Sequence, residues 1–410
     1  MPFKHFMKKS PLATILLVVF VDLIGFGMII PILPLYAKSF QAEEWQIGLL
    51  LGCYSFMQFL ASPVLGYISD RIGRKPVLLV SLLGSVIGYA VMANAHSLTM
   101  LFIARIIAGI CGASVGTAAA YIADITPAEN RSRRMGLIGA AFGVGFVLGP
   151  AIGGILSHFW TVAPFWFGAG LAFLNAIAVL LFLPEPEKHV KRSEVSTPVA
   201  ADAVDRTGSD GIVILIATYF VAIAGFAIVT MIYPQVLDRR FTLNTSQISM
   251  VFVFLGLIGA FIQGGAIGRL AKRFGDYKLA GAGLFIMAVS MLAMPLAQNM
   301  GLFLLFTFGL AVGNSLAQPT LMAMASRLAA TTAQGRVIGT VQSAGSLGRV
   351  VGPSAGGFML GWDRPGPMLA YGNTPFLVGG IVMGIAFLLS LTLRRSSVSE
   401  APAPAEVVRK

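Results

Sequence analysis

The sequence predicts an all-α membrane protein, with twelve transmembrane helices in two pseudo-symmetric six-helix bundles. Three observations lead there. Hydrophobic residues make up 56% of the 410 positions and charged residues only 11%, with a mean hydropathy of +0.82; in a soluble globule roughly a quarter of residues are charged. The apolar residues gather into twelve runs, each near the roughly 20 residues that a helix needs to cross a bilayer core, with short polar segments between them. Two separate motifs recur in the second half at nearly one offset, which marks a duplicated unit.

Taken in order, span 1 is expected at 12–36, with Pro31 and Pro34 near its outer end, and span 2 at 46–68. The stretch Gly66-Tyr67-Ile68-Ser69-Asp70-Arg71-Ile72-Gly73-Arg74-Lys75-Pro76 follows, the most charged short segment of the first half, and it must lie in water. Span 3 is expected at 77–94 and span 4 at 98–123. The segment 124–134 holds Glu129, Arg131, Arg133 and Arg134; span 5 then runs to 157 and span 6 covers 163–183. Beyond Pro184 the composition turns to Pro, Glu, Lys, Ser, Thr and Asp, too polar to be ordered by burial. Spans 7 to 12 are expected at 212–234, 247–268, 279–297, 301–325, 337–360 and 374–393. The domain reading is a first bundle at 1–185, a cytoplasmic linker at 186–210, a second bundle at 211–395 and a disordered cytoplasmic tail at 396–410.

The duplication appears between spans 2 and 3, where Gly66, Ile68, Arg71 and Gly73 return as Gly268, Leu270, Arg273 and Gly275. It appears again in span 5, where Gly145, Gly149, Pro150, Gly153 and Gly154 return in span 11 as Gly348, Gly352, Pro353, Gly356 and Gly357. Repeat transporters place their substrate site near the midplane between the repeats.

The formal net charge of +12 raises the question of a nucleic-acid partner, but the distribution of the cations argues against one. With both termini inside, only Lys38, Arg239, Arg240 and Arg364 of the 29 Lys and Arg fall outside, and only Arg105 and Arg349 within spans. That is the positive-inside bias of a multispanning chain. The four tryptophans, Trp45, Trp160, Trp166 and Trp362, fall at outer span ends, where an interfacial aromatic belt belongs. Cys53 and Cys111 sit in apolar runs and form neither a disulfide framework nor a metal-ligand pattern. The basic N-terminus lacks a small-residue cleavage site, so the first run is read as a retained helix. No phosphate-binding loop, zinc-protease motif or nucleophile–base constellation appears. The chain is therefore not expected to be an enzyme; no cofactor and no metal are expected, and an ion gradient is the expected energy source.

A charge near the centre of a membrane helix costs at least about 2.5 kcal/mol, so the few present are functional candidates. Asp22 is the one acid deep in a span. Burial and a neighbouring guanidinium pull a carboxyl's proton affinity in opposite directions, and a group balanced between them suits proton coupling. The alternative for Asp22 is a permanently paired residue that fixes packing. Arg105 cannot titrate, so it either tunes Asp22, holds a substrate acceptor or clamps backbone carbonyls. Arg349 faces either the central cavity, where it would draw anionic substrate groups, or the contact between halves. Gln58, Gln263, Asn314 and Gln318 lie at midspan depth and are candidate substrate-binding groups, with helix-to-helix hydrogen bonding as the plainer use of each.

Four stretches carry a resemblance. They are Asp22-x-x-Gly25-x-Gly27-x-x-x-Pro31-x-x-Pro34; the segment from Gly66 to Pro76, which reads G-x-x-x-D-R-x-G-R-K-P; Arg105-x-x-x-Gly109, running on to Tyr121-Ile122-Ala123-Asp124-Ile125-Thr126; and Gly145-x-x-x-Gly149-Pro150-x-x-Gly153-Gly154. Over nearly its whole length the chain resembles the major facilitator superfamily, and within it the drug:proton antiporters of the tetracycline-efflux type. The resemblance implies a proton-coupled exporter of small amphipathic compounds, working by alternating access in a bacterial inner membrane and functional as a monomer. Its partners would be a small-molecule substrate, protons and membrane lipid, with no nucleic acid. It implies proton coupling at Asp22 and Arg105, and an antiporter motif at Gly145, Gly149, Pro150, Gly153 and Gly154. It also implies a conformational latch at Gly66, Asp70, Arg71, Gly73, Arg74 and Asp124, with Asp70 holding the cytoplasmic start of span 11 in the outward-open state and Arg74 bridging to Asp124 or Glu129. Lys272 stands where the second half would repeat Asp70, so the latch is expected to be one-sided. Tetracycline exporters carry a histidine in span 8 and an acid in span 9; Gly259 and Met287 stand there in this chain, which sets tetracycline itself apart. The alternatives are a transporter of an anionic metabolite, sugar derivative or lipid anchored by Arg349, and a non-transporting sensor.

Overall fold

A computed structural model describes residues 11–112, 114–126, 128–186, 209–328, 334–364 and 367–399. Twelve helical spans follow one another: α1 (Pro11–Lys38), α2 (Glu44–Ile72), α3 (Arg74–Ala93), α4 in two pieces (Leu98–Ile110 and Ser114–Asp124), α5 (Ala128–Phe159) and α6 (Ala163–Phe182). The second set is α7 (Ser209–Phe241), α8 (Thr245–Phe261, a π turn Ile262–Ala266, then Ile267–Phe274), α9 (Asp276–Ala293), α10 (Met300–Leu328), α11 (Gln334–Asp363) and α12 (Asn373–Ser399). Among the described residues ten helices are long and apolar enough to cross a membrane. The helices bearing the two glycine–proline motifs, α5 and α11, complete the twelve.

Span order and number follow the sequence, but the connections are tighter than expected. α2 continues through the charged stretch to Ile72, and a single residue, Gly73, turns the chain into α3. Gly73 has φ +112°, a region that side chains other than glycine rarely enter. Gly275 does the same between α8 and α9 with φ +80°. The segment 124–134, expected as a loop, is mostly helix, because α5 already begins at Ala128. α12 runs on to Ser399, past the expected start of the tail. Most of the proposed linker, and the tail beyond Ser399, lie outside the described residues.

The glycine motifs explain how each half is packed. A Cβ at Gly145 would lie 2.8 Å from Leu23 Cβ, and one at Gly149 would lie 2.8 Å from Gly27 Cα, so α5 rests on α1 with the two backbones nearly touching. Gly348 and Gly352 bring α11 equally close to Ala224 and Ala227 of α7. Close approach of this kind replaces the hydrophobic drive that is missing between helices in lipid. Gly153 and Gly356 also pack within their own halves, on Met28 and Ile228, and only the last glycine of each motif turns to the other half: Gly154 packs on Ser249 of α8, and Gly357 on the backbone of Glu44 and Gly48 in α2.

These crossings between halves lie at the end away from the Gly73 and Gly275 turns. There Gly48 also meets Pro353, Trp45 stacks on Phe358 at 6.0 Å, and Lys38 pairs with Asp238 at 3.1 Å. At the opposite end a Cβ added at Gly66, Gly268 or Gly339 would meet nothing within 4 Å. Among the described residues the contacts between halves gather at the tryptophan-bearing end, and these three glycines at the other end face open space.

Candidate functional site

Asp22 sits midway along α1 and lines a small cavity with Phe26, Tyr54, Tyr89, Arg105 and Ser114. Its Oδ2 accepts a hydrogen bond of 2.6 Å from the Ser114 hydroxyl. Asp22 and Arg105 share this cavity, yet no ion pair joins them among the described residues. Arg105 is 3% exposed. It donates at 3.5 Å to the carbonyls of Leu50 and Leu51, lies 4.5 Å over the Tyr54 ring and leaves Nη1 without a partner. The geometry combines a loose carbonyl clamp with a cation–π contact and leaves one buried donor unused.

Gln58 binds its neighbours rather than facing open space: its Nε2 donates to the carbonyl of Gly112, at the interruption of α4. In the second half Asn314 and Gln318 come together, lining a cavity with Tyr219, Ile223 and Met287. The Asn314 Oδ1 is buried there without a donor. Gln263 does not line that cavity; it is half-buried in the π turn of α8. Arg349 on α11 donates to Ser346 on its own helix at 3.0 Å. It lies within electrostatic reach of Tyr54 from the first half and Tyr219 from the second, and no carboxylate pairs with it among the described residues. Tyr54 lines the first cavity and Tyr219 the second.

At the Gly73 turn, Arg74 binds Asp70 at 2.6 Å and Asp124 at 2.8 Å. The expected bridge to Asp124 is present, while the Glu129 side chain lies outside the described residues. Arg71 lies over the Tyr67 ring at 4.3 Å. Asp70 is 65% exposed and forms no ion pair with α11 among the described residues. The second half has its own pair at the equivalent place with the signs exchanged: Asp276 follows Gly275 and binds Arg327 at 2.9 Å. Lys272 makes no ion pair with it among the described residues.

A family model for the Major Facilitator Superfamily matches residues 15–261 and, a second time, residues 215–410. The chain belongs to this superfamily. Among relatives of this major facilitator, the tetracycline resistance protein, class H, of Pasteurella multocida is 32% identical over 96% of this chain and 99% of its own. Multidrug resistance protein 1 of Bacillus subtilis (strain 168) is 29% identical over 95% and 100%. Among solved structures, that of the human organic anion transporter MFSD10 (TETRAN) superposes with a TM-score of 0.72 at 25% identity, covering 93% of this chain and 99% of that one.

Four participants in this facilitator escaped the sequence reading. Ser114 was one hydroxyl among many, and only the fold aims it at Asp22. Tyr54 reads as an ordinary aromatic, but it touches Arg105 by its ring and the Gly112 break by its hydroxyl. Glu185, at the edge of the polar segment, accepts the backbone N–H of Arg74 at 2.5 Å and of Lys75 at 3.0 Å, capping α3. Its position after an apolar run among prolines gave no signal. Glu44, 6% exposed, binds Arg364 at 3.4 Å and accepts from the Tyr371 hydroxyl at 3.2 Å, tying α2 to the turn before α12. Burial, with the Glu44 carboxylate beside it, pushes the Tyr371 hydroxyl well above the usual phenol range, so it stays a donor.

Proposed function

We propose that this integral membrane protein is a proton-coupled secondary transporter that exports small amphipathic organic compounds by alternating access. The observation that carries the reading is Asp22. It is the one acid deep in the spans, it faces a cavity, and a hydroxyl rather than a guanidinium holds it. Such a carboxylate takes up and gives back a proton without rupturing an ion pair, which a buried pair would resist. The printed names of the relatives, tetracycline and multidrug resistance proteins, support export of drug-like compounds. In this reading the glycine turns and both termini face the cytoplasm, the membrane is the bacterial inner membrane, and the arrangement described above is inward-open. The working unit is one chain, free of cofactor and metal, with no enzymatic step.

In the cycle, a proton from outside neutralises Asp22, substrate leaves, and the inward-open form is favoured; return of the proton to the cytoplasm resets the carrier. Asp22→Asn is expected to abolish uphill transport in proteoliposomes while exchange or binding stays measurable. An Asp22→Asn carrier that still concentrates substrate against its gradient rejects this assignment.

A second reading has its own observation. Arg105 and Arg349 meet no carboxylate among the described residues, so two guanidiniums face one acid in the middle of the molecule. That balance suits a substrate with an anionic group held by Arg349, and a structurally similar protein is named an organic anion transporter.

A further inference from the structure

The interruption of α4 places one hydroxyl on Asp22, and the interruption is built from several residues. α4 leaves helical geometry at Gly112, whose N–H bonds back only three residues, to Gly109, at 3.0 Å. A Cβ at Gly109 would lie 2.6 Å from the Tyr54 carbonyl oxygen, and one at Gly112 would lie 2.9 Å from the Tyr54 hydroxyl. α2 therefore nests in the interruption. Gln58 supplies the Gly112 carbonyl with a donor from α2. In the second piece of α4 the hydroxyl of Ser114 donates to Asp22 at 2.6 Å.

We propose that Ser114 is a positioning residue of the proton-coupling reaction: through it the interrupted α4 reads the charge on Asp22 and passes it to α2. The proposal rests on Asp22 as the proton carrier. An ionised carboxylate holds a hydroxyl in a short, charge-assisted bond, here that of Ser114. When a proton from water adds to the carboxylate, the negative charge is gone and that attraction weakens. Ser114 is then free to release α1. Tyr54 and Gln58 of α2 lie against the same interruption, and α2 is the helix whose Gly48 closes the far end on α11. The other polar or titratable groups lining the cavity are Ser85 and Tyr89 of α3, Tyr54 of α2 and Arg105 of α4; α5 and α6 contribute none among the described residues.

The test needs no substrate. Protonation of Asp22 is followed in the purified carrier by its infrared carbonyl band, identified by loss of that band in Asp22→Asn. Opening of the glycine-turn end is followed by maleimide labelling of Gly66→Cys. Both use a background with Cys53 and Cys111 replaced by alanine, in which the carbonyl band is first checked to titrate as in the native chain. In the parent, labelling should change with pH along the same curve as the carbonyl band. In Ser114→Ala the band should still titrate, while labelling loses most of its pH dependence. Ser114→Thr, which keeps the hydroxyl, should restore that dependence. Labelling that tracks the band in Ser114→Ala, or does not change with pH in the parent, overturns the proposal. So does a loss of coupling that Ser114→Thr fails to restore. A titrating band that survives in Asp22→Asn overturns the underlying assignment of Asp22 instead, so the two failures are distinguishable.

Discussion

Arg349 shows how much a single side chain depends on its surroundings. Its sequence position allowed a cavity or an interface. In the structure it lies within electrostatic reach of Tyr54 and Tyr219, one from each half, and Ser346 is its hydrogen-bond partner among the described residues. Partly buried and without a carboxylate partner among the described residues, its guanidinium keeps donors free for another acceptor. If it anchors an anionic group, Arg349→Ala should weaken binding of an aryl carboxylate by about tenfold or more, the range for truncating a buried charge pair, and leave its neutral amide nearly unaffected. Equal loss for both compounds in equilibrium binding would assign Arg349 to packing between halves. Asp22, Arg105 and Arg349 were legible because buried charge is rare and conspicuous in an apolar chain. Ser114, Tyr54 and Glu185 were not, since their significance lies in what stands opposite them.

For the elements, small residues set which helices touch. The motifs of α5 and α11 were legible, and so was their repetition. The division of labour inside each motif was not: three glycines pack within a half and the fourth across it. The crossing of α2 and α11 leaves no room beside Gly48, which faces the Pro353 carbonyl. Gly48→Ala should therefore disfavour the state closed at the tryptophan end by about 1–3 kcal/mol, the usual cost of overpacking. Maleimide labelling of a cysteine at position 66 should fall accordingly, as the glycine-turn end spends more time shut. Unchanged labelling would mean that α2 shifts to accommodate the methyl group. α4 is the element read least well. Its apolar run looks continuous, and the run of Gly109, Cys111 and Gly112 becomes an interruption only because α2 fills it.

Over the whole molecule, closure at one end rests on polar contacts between halves that the outer segments did not advertise. Lys38–Asp238 is partly exposed and worth under about 1 kcal/mol. The buried Glu44, bonded to Tyr371 and Arg364, is the firmer tie. Glu44→Gln should loosen it, and spin labels on cysteines replacing His96 and Gln298, one in each half, should report a longer or broader distance in pulsed electron resonance. An unchanged distribution would leave closure to the glycine contacts alone. If the substrate is a monoanion exchanged for one proton, export moves two positive charges inward, each worth about 2.3 kcal/mol per 100 mV. Transport would then respond steeply to membrane potential.

Composition, span count and the repeated motifs followed from the sequence alone, because a bilayer imposes length and hydropathy on each helix separately. A duplicated unit also leaves its own record in the order of residues. The placement of Ser114 on Asp22, of Glu44 on Tyr371, and of Asp276 on Arg327 with signs opposite to Arg74 on Asp124 was decided only by the tertiary structure. The partners in these pairs lie on different helices or turns far apart in the chain. Which side chains meet is fixed by how closely glycine-lined backbones approach and which ends are closed, and neither is written in any one span.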